Sequence, residues 1–218
     1  MRQILRSLLN LLFHLFSRIE VSGLENIPAQ GGCILAVNHL SRLDPPLVFI
    51  FVNRQDLNVL VADKYKKYPV IREAIYILHG IWINREEADF RALKAARDYL
   101  AKGGILGIAP EGTRSKTGGL QAAKPGVAYL ADKAQVPVMP VAIYGTEGAM
   151  VKMLLLQRPK LTIKFGKPIY FPPVARQERD QSYQENTDEI MCQIAAMLPE
   201  RYRGVYRDHP RLQEIMLR

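Results

Sequence analysis

The sequence predicts an α/β fold with one central sheet flanked by helices, and two observations carry that expectation. Short apolar runs rich in β-branched residues recur at 33–37, 57–61, 81–84, 105–109, 138–143 and 161–165, each bounded by Gly, Pro, Asp or Asn, as buried strands are. Between them lie helical patterns at 45–52, 70–78, 86–101 and 124–133, the third with Ala92, Leu93, Ala96 and Leu100 on one face. Strand alternating with helix is the pattern of a layered sheet. After the turn at Phe171, Pro172 and Pro173 a last helix, 183–198, places Ile190, Ile194 and Leu198 four residues apart, and the tail beyond Pro199 reads as basic and poorly patterned.

Composition narrows the class. The chain has 218 residues, 48% of them hydrophobic, which suffices for one domain with a real core. Two cysteines cannot build a disulfide framework, and no Cys/His cluster has metal-ligand spacing, so no metal site is expected. Cys33 falls inside an apolar strand and reads as core. Thirty Lys and Arg against 21 Asp and Glu leave a net charge of +9, which favours anionic partners. Nucleic acid is not expected among them, because no aromatic and basic platform or known module accompanies the charge.

The first eighteen residues form a separate unit, 1–18, ahead of the domain at 19–218. No run reaches the roughly 20 apolar residues a spanning helix needs. The segment from Val21 to Pro28 reads as strand and turn rather than as the sequel to a cleavage site. Gln3, Arg6, Ser7, Asn10, His14, Ser17 and Arg18 recur at helical spacing opposite a broad apolar face of leucines and phenylalanines, with no acidic residue before Glu20. Such a helix suits the membrane interface, its apolar face in lipid and Arg2, Arg6 and Arg18 on anionic headgroups, although packing on its own domain would also cover that face.

The chemistry concentrates at strand ends. The first run leads into Asn38, His39, Leu40, Ser41, Arg42, Leu43, Asp44 and then Pro45 and Pro46, where a helix is expected to begin. In such a turn the Asp44 carboxylate can fold back on the His39 ring, fixing its tautomer and leaving the other nitrogen free to take a proton from a hydroxyl. A hydrogen-bonded structural histidine beside a helix cap would use the same two residues. The loop after 105–109 reads Pro110, Glu111, Gly112, Thr113, Arg114, Ser115 and runs on to Lys124 near a helix start. There Gly112 permits close backbone approach, Arg114 offers a fork for phosphate and Lys124 a point charge, while a plain solvated loop remains the alternative. Arg85, after 81–84, is delivered to the same edge. A base and two arginines at one sheet edge favour a phosphorylated hydroxyl substrate.

Taken together these residues resemble the glycerolipid acyltransferases, specifically the 1-acylglycerol-3-phosphate acyltransferases. Asn38-His39 through Asp44 is similar to the family's His-x-x-x-x-Asp block, Gly80 to Arg85 to its Gly-x-x-Phe-x-x-Arg block, Pro110 to Arg114 to its Pro-Glu-Gly-Thr-Arg block, and Val136 to Val141 to its apolar fourth block. In the second block Ile83 stands where the family has Phe, and Asn84 where Asp is common. The resemblance implies an α/β acyltransferase domain with a central mixed sheet. His39, held by Asp44, would deprotonate the free hydroxyl of lysophosphatidic acid as it attacks an acyl thioester, giving phosphatidic acid. Arg85, Glu111, Gly112, Thr113, Arg114 and Lys124 would bind substrate. The donor would be acyl-CoA or acyl-carrier protein, no cofactor is implied, and the enzyme would sit peripherally or monotopically on the cytoplasmic face of a membrane. Another lysophospholipid or glycerol 3-phosphate as acceptor, or a non-catalytic protein binding anionic lipid, are the rival readings.

Overall fold

Seven strands form one twisted sheet in a computed structural model that describes residues 1–84 and 89–217. In chain order the strands are β1 (Arg18–Ser22), β2 (Cys33–Val37), β3 (Leu57–Ala62), β4 (Ile81–Ile83), β5 (Ile105–Ile108), β6 (Val138–Tyr144) and β7 (Lys160–Phe165). The helices are α1 (Arg2–Phe16), α2 (Asp44–Phe51), α3 (Pro69–Ile77), α4 (Phe90–Ala101), α5 (Gly126–Ala134), α6 (Ala149–Leu154), α7 (Arg179–Met197) and α8 (Pro210–Met216). The spatial order is β1-β7-β6-β2-β5-β3-β4. The five strands from β6 to β4 are mutually parallel, β7 runs antiparallel to β6, and β1 lies parallel to β7, so the sheet is mixed as expected.

Side-chain alternation along β2 shows why these runs are strands. Ile34 and Ala36 point into the core beneath α4, α5, α7 and α8, and Cys33, Leu35 and Val37 into the core beneath α1, α2 and α6. All five are buried, which a strand covered by helices on both faces requires. Burial pushes the Cys33 thiol up to about 12, the environment of a core residue.

Two segments depart from the sequence expectation. The tail beyond Pro199 is ordered: two 3-10 turns and α8 bury Tyr202, Tyr206 and Leu212 in the core beneath α7. Tyr202 and Tyr206 lie in three-residue turns and Leu212 in a seven-residue helix, so they leave too little helical or strand period to read. Gly204, at φ +50°, brings the tail against the loop ahead of α5, where Leu120 N donates to Tyr202 O at 2.9 Å and Val205 N to Leu120 O at 3.1 Å. A side chain at 204 would meet the Leu120 carbonyl oxygen, 2.0 Å from its Cβ.

The second departure concerns α1. Its arginines do not all turn outward: Arg6 is buried, its Nε donating to Phe49 O at 3.1 Å and its guanidinium to Val52 O and Asn53 Oδ1, both at 3.0 Å. The physical reason is the end of α2, whose last carbonyls lack helical partners and carry the negative end of the helix dipole. Arg2 likewise donates to Leu57 O. Phe13 is buried and Leu5 and Leu9 are half-buried beside it, whereas Ile4, Leu8, Leu11, Leu12 and Leu15 face solvent. The broad apolar face thus divides, one stripe held by the domain and the other exposed. Arg18, at the start of β1, is exposed as expected.

Removing the Arg6 guanidinium strands two buried carbonyls. Arg6→Ala is expected to cost about 2–3 kcal/mol of stability, read as a lower urea midpoint at unchanged slope, with Arg18→Ala within about 0.5 kcal/mol of the parent.

Candidate active site

Strand β2 is central, and its neighbours β6 and β5 supply the residues that build a site at the carboxyl edge of the sheet. At the end of β2 the backbone leaves the ladder, and the Asn38 side chain continues it in place of the peptide: Nδ2 donates to Ile143 O at 2.8 Å, and Ile143 N donates to Oδ1 at 2.7 Å. The turn that follows is then free to fold back toward α2.

Asp44 organises that turn. Its Oδ2 accepts from the His39 ring nitrogen Nδ1 at 2.8 Å, from Leu40 N at 2.8 Å and from Ser41 N at 2.7 Å, and its Oδ1 accepts from Thr146 Oγ1 at 2.6 Å. The carboxylate is 2% exposed, and four donors replace the water it gave up. It does not cap its own helix. The next two positions are Pro45 and Pro46, which have no N–H to offer, so the carboxylate turns back onto the preceding loop. His39 keeps about a fifth of its side chain exposed, and among the described residues nothing bonds its Nε2. A fixed Nδ1–H with an open Nε2 is the arrangement of a general base.

Glu111 departs from the expected role as a substrate ligand. Its Oε1 accepts from His39 N and its Oε2 from Gln121 N, both at 2.9 Å, and the side chain is buried. Burial pushes its carboxyl above the usual range, opposed by those two backbone donors. With both oxygens engaged, Glu111 ties the β5 loop to the β2 turn rather than meeting solvent. Ser115 N adds a second tie, donating to His39 O at 2.7 Å.

The remaining expected residues are placed as follows. Gly112 adopts φ +69°, which needs glycine, and an added Cβ would lie 3.7 Å from Lys124 Cδ and Cε, so the Lys124 stem runs beside it. Lys124 N donates to Pro110 O at 3.0 Å, and its side chain is exposed. Arg114 is half-buried, and its guanidinium has no partner among the described residues. Thr113 is exposed, and among the described residues no hydrogen bond ties it to the others. Arg85 lies outside the described residues. Two functional residues escape the sequence reading, Asn38 and Thr146. Thr146 comes from a Gly-Thr-Glu turn after β6, distant in sequence from the His39 turn, and only the pairing of β6 with β2 brings it there.

Thr146 is fully buried and bonds the carboxylate, so it acts by positioning. Thr146→Val is expected to lower kcat about tenfold with little change in KM, and Thr146→Ser to restore it. Equal kcat in all three proteins would show that Asp44 does not need the fourth donor.

Comparison with known proteins bears on this arrangement. A family model described as Acyltransferase matches residues 18–144, from the start of β1 to the end of β6. A 1-acyl-sn-glycerol-3-phosphate acyltransferase of Borreliella burgdorferi is 29% identical over 144 residues, 63% of this chain and 56% of that protein. A chloroplastic 1-acyl-sn-glycerol-3-phosphate acyltransferase of Brassica napus is 29% identical over 160 residues, 71% of this chain and 46% of that protein. The chain spans about half the length of the curated relatives it matches. The crystal structure of the 1-acyl-sn-glycerophosphate acyltransferase PlsC from Thermotoga maritima superposes with a TM-score of 0.65 at 27% identity, over 85% of this chain and 76% of that one. Since the family model alone covers more than half of the sequence, including both loops that meet at His39, the chain belongs to the acyltransferase family.

Proposed function

We propose that the protein transfers a fatty acyl group from an acyl thioester to the free hydroxyl of 1-acylglycerol-3-phosphate, giving phosphatidic acid. The observation that carries this reading is the His39–Asp44 pair, with Nδ1 locked on a buried carboxylate and Nε2 open beside a basic loop. The names of the relatives support the same acceptor. A protein that only bound anionic lipid would have no use for an imidazole in that state.

Chemically, Nε2 takes the hydroxyl proton as the acceptor oxygen bonds to the thioester carbonyl carbon. Collapse of the tetrahedral intermediate breaks the carbon–sulfur bond, and the imidazolium returns the proton to the departing sulfur. Asp44 stays ionised throughout, holding the tautomer and stabilising the transient imidazolium. The thioester carries its own activation, so the proposal calls on no cofactor or metal. Acyl-CoA and acyl-carrier protein both present such a thioester. Arg114 and Lys124 would take the acceptor phosphate, Arg114 as a fork and Lys124 as a point charge, and Arg85 would join them as the family resemblance implies. Gly112 lets the loop pass close to that phosphate, and Thr113 is carried with it by the same resemblance.

The acceptor is a lipid, and the exposed stripe of α1, Ile4, Leu8, Leu11, Leu12 and Leu15, would meet it at a membrane surface. Anionic headgroups would face Arg18 rather than Arg6, which is already engaged. The reading includes a peripheral or monotopic position on the cytoplasmic face.

Purified protein given lysophosphatidic acid and either donor should form phosphatidic acid, identified by mass spectrometry. Product only from glycerol 3-phosphate or from another lysophospholipid would reassign the acceptor. His39→Ala should lower turnover by about 10²–10⁴ while leaving the fold intact, and near-normal turnover would remove the general-base mechanism. Arg114→Ala should raise KM for the phosphorylated acceptor about tenfold or more and leave that for the donor unchanged. An effect confined to the donor would instead assign Arg114 to the thioester partner.

A further inference from the structure

Helix α6 is barely two turns long and buries little. Ala149 is buried and Met153 half-buried against the core that also receives Phe13 of α1, but Met150, Val151, Leu154, Leu155 and Leu156 are 49–77% exposed. Five large apolar side chains in sequence neighbourhood, all in water, are not accounted for by the packing of this domain.

The backbone sharpens the point. Leu156 N donates to Met153 O at 3.0 Å and Gln157 N to Lys152 O at 2.9 Å, the paired bonds of a helix end whose next residue is left-handed. That residue is Leu156, at φ +58°. Glycine is the residue such a position favours, and a leucine there is strained. Folding alone therefore argues against the side chain that stands there, and a local conflict of this kind points to a use outside the fold.

Charge identifies the partner. From Gly148 to Gln177 the sequence has no acidic residue and six basic ones, among them Lys152 and Arg158 on this turn. Lys160 of these is paired with Glu20 at 2.7 Å, but Lys152 and Arg158 meet no carboxylate among the described residues. Exposed leucines beside such cations fit an anionic lipid surface, where apolar insertion and headgroup attraction act together. The turn also continues the exposed stripe of α1. Both elements pack on the same face of the sheet, Arg158 donates to His14 O at 3.0 Å, and Arg18 N donates to Pro159 O at 2.9 Å.

We propose that the turn Met150–Leu156 is a second membrane-inserting element, which with the exposed stripe of α1 fixes the protein on anionic lipid in one orientation. The inference rests on the membrane reading of α1 given above. It also explains the position of the turn in the chain. Ala149 N donates to Thr146 O at 3.2 Å, so the helix that carries the inserted leucines starts against the residue that holds Asp44, and the catalytic edge is brought to the surface where the lipid acceptor resides.

Two multiple variants test it, Leu154→Ser/Leu155→Ser/Leu156→Gly and Leu8→Ser/Leu11→Ser/Leu15→Ser. Each is compared with the parent for sedimentation with vesicles of phosphatidylglycerol and phosphatidylethanolamine, thermal midpoint, and turnover on vesicle-borne and on dispersed short-chain lysophosphatidic acid. The α6 variant should keep or raise its thermal midpoint, because glycine relieves position 156. It should also keep its turnover on dispersed acceptor, while vesicle binding falls about tenfold or more and turnover on vesicle-borne acceptor falls with it. Parental vesicle binding by the α6 variant, with binding lost in the α1 variant, would overturn the inference and leave α1 as the anchor. Parental binding by both variants would overturn the α1 reading as well. A parent that is dimeric without lipid and an α6 variant that is monomeric, with equal vesicle binding, would make the turn an interface between copies and equally overturn it.

Discussion

The whole catalytic edge hangs on one buried carboxylate. Asp44 accepts four hydrogen bonds from three structural sources: the ring of His39, the backbone of the turn at Leu40 and Ser41, and the hydroxyl of Thr146 beyond β6. A charge removed from water is tolerated only when its acceptor sites are filled, so each donor depends on the others being in place. An amide in its position could not accept from all four, since half of its polar end is itself a donor. The same group therefore sets the imidazole tautomer, shapes the turn and joins two strand ends.

Glu111 repeats the device on the other side of β2. It is buried and accepts only backbone N–H groups, from His39 and from Gln121, so the base is braced at its backbone as Asp44 braces it at its ring. Gln121 belongs to the loop that the tail grips through Leu120, and Ala123 N donates to Tyr206 Oη at 3.1 Å. The tail thus supports the loop that holds Glu111, and through it the histidine. The family resemblance implies that the glutamate is a substrate ligand, yet in space it is turned inward by partners more than seventy residues apart.

Most of the sheet was legible because a strand covered on both faces must be written as a continuous apolar run, and the six runs became β2 to β7 with ends shifted by a residue or so. The His39–Asp44 pair was legible for a different reason: the two prolines mark a helix start just after Asp44, which puts both residues in one strand-to-helix turn where the carboxylate can fold back on the ring. What stayed hidden depends on long-range pairing or on short irregular turns. Thr146 reaches Asp44 only because β6 lies beside β2. The division of the α1 face was hidden because nothing local distinguishes Arg6 from Arg2 or Arg18 until the exposed end of α2 is placed beneath it. Tyr202 and Tyr206 sit in 3-10 turns too brief to carry a period, and α6 is a six-residue helix whose apolar residues mostly face outward.

The single antiparallel seam between β6 and β7 has a consequence for assembly in time. Because β7 runs against β6 and β1 lies beyond it at the sheet edge, running the same way as β7, the ladder partner of β1 among the described residues comes from far along the chain, Arg18 opposite Lys160. During synthesis α1 and β1 leave the ribosome long before β7 exists, and closing so large a loop is the slow, entropically expensive step of such a topology. Throughout that interval α1 has no sheet beneath it, and both of its leucine stripes are uncovered together. Any apolar surface nearby, bilayer or chaperone, meets the full face of the helix first, and the completed sheet later reclaims one stripe of it.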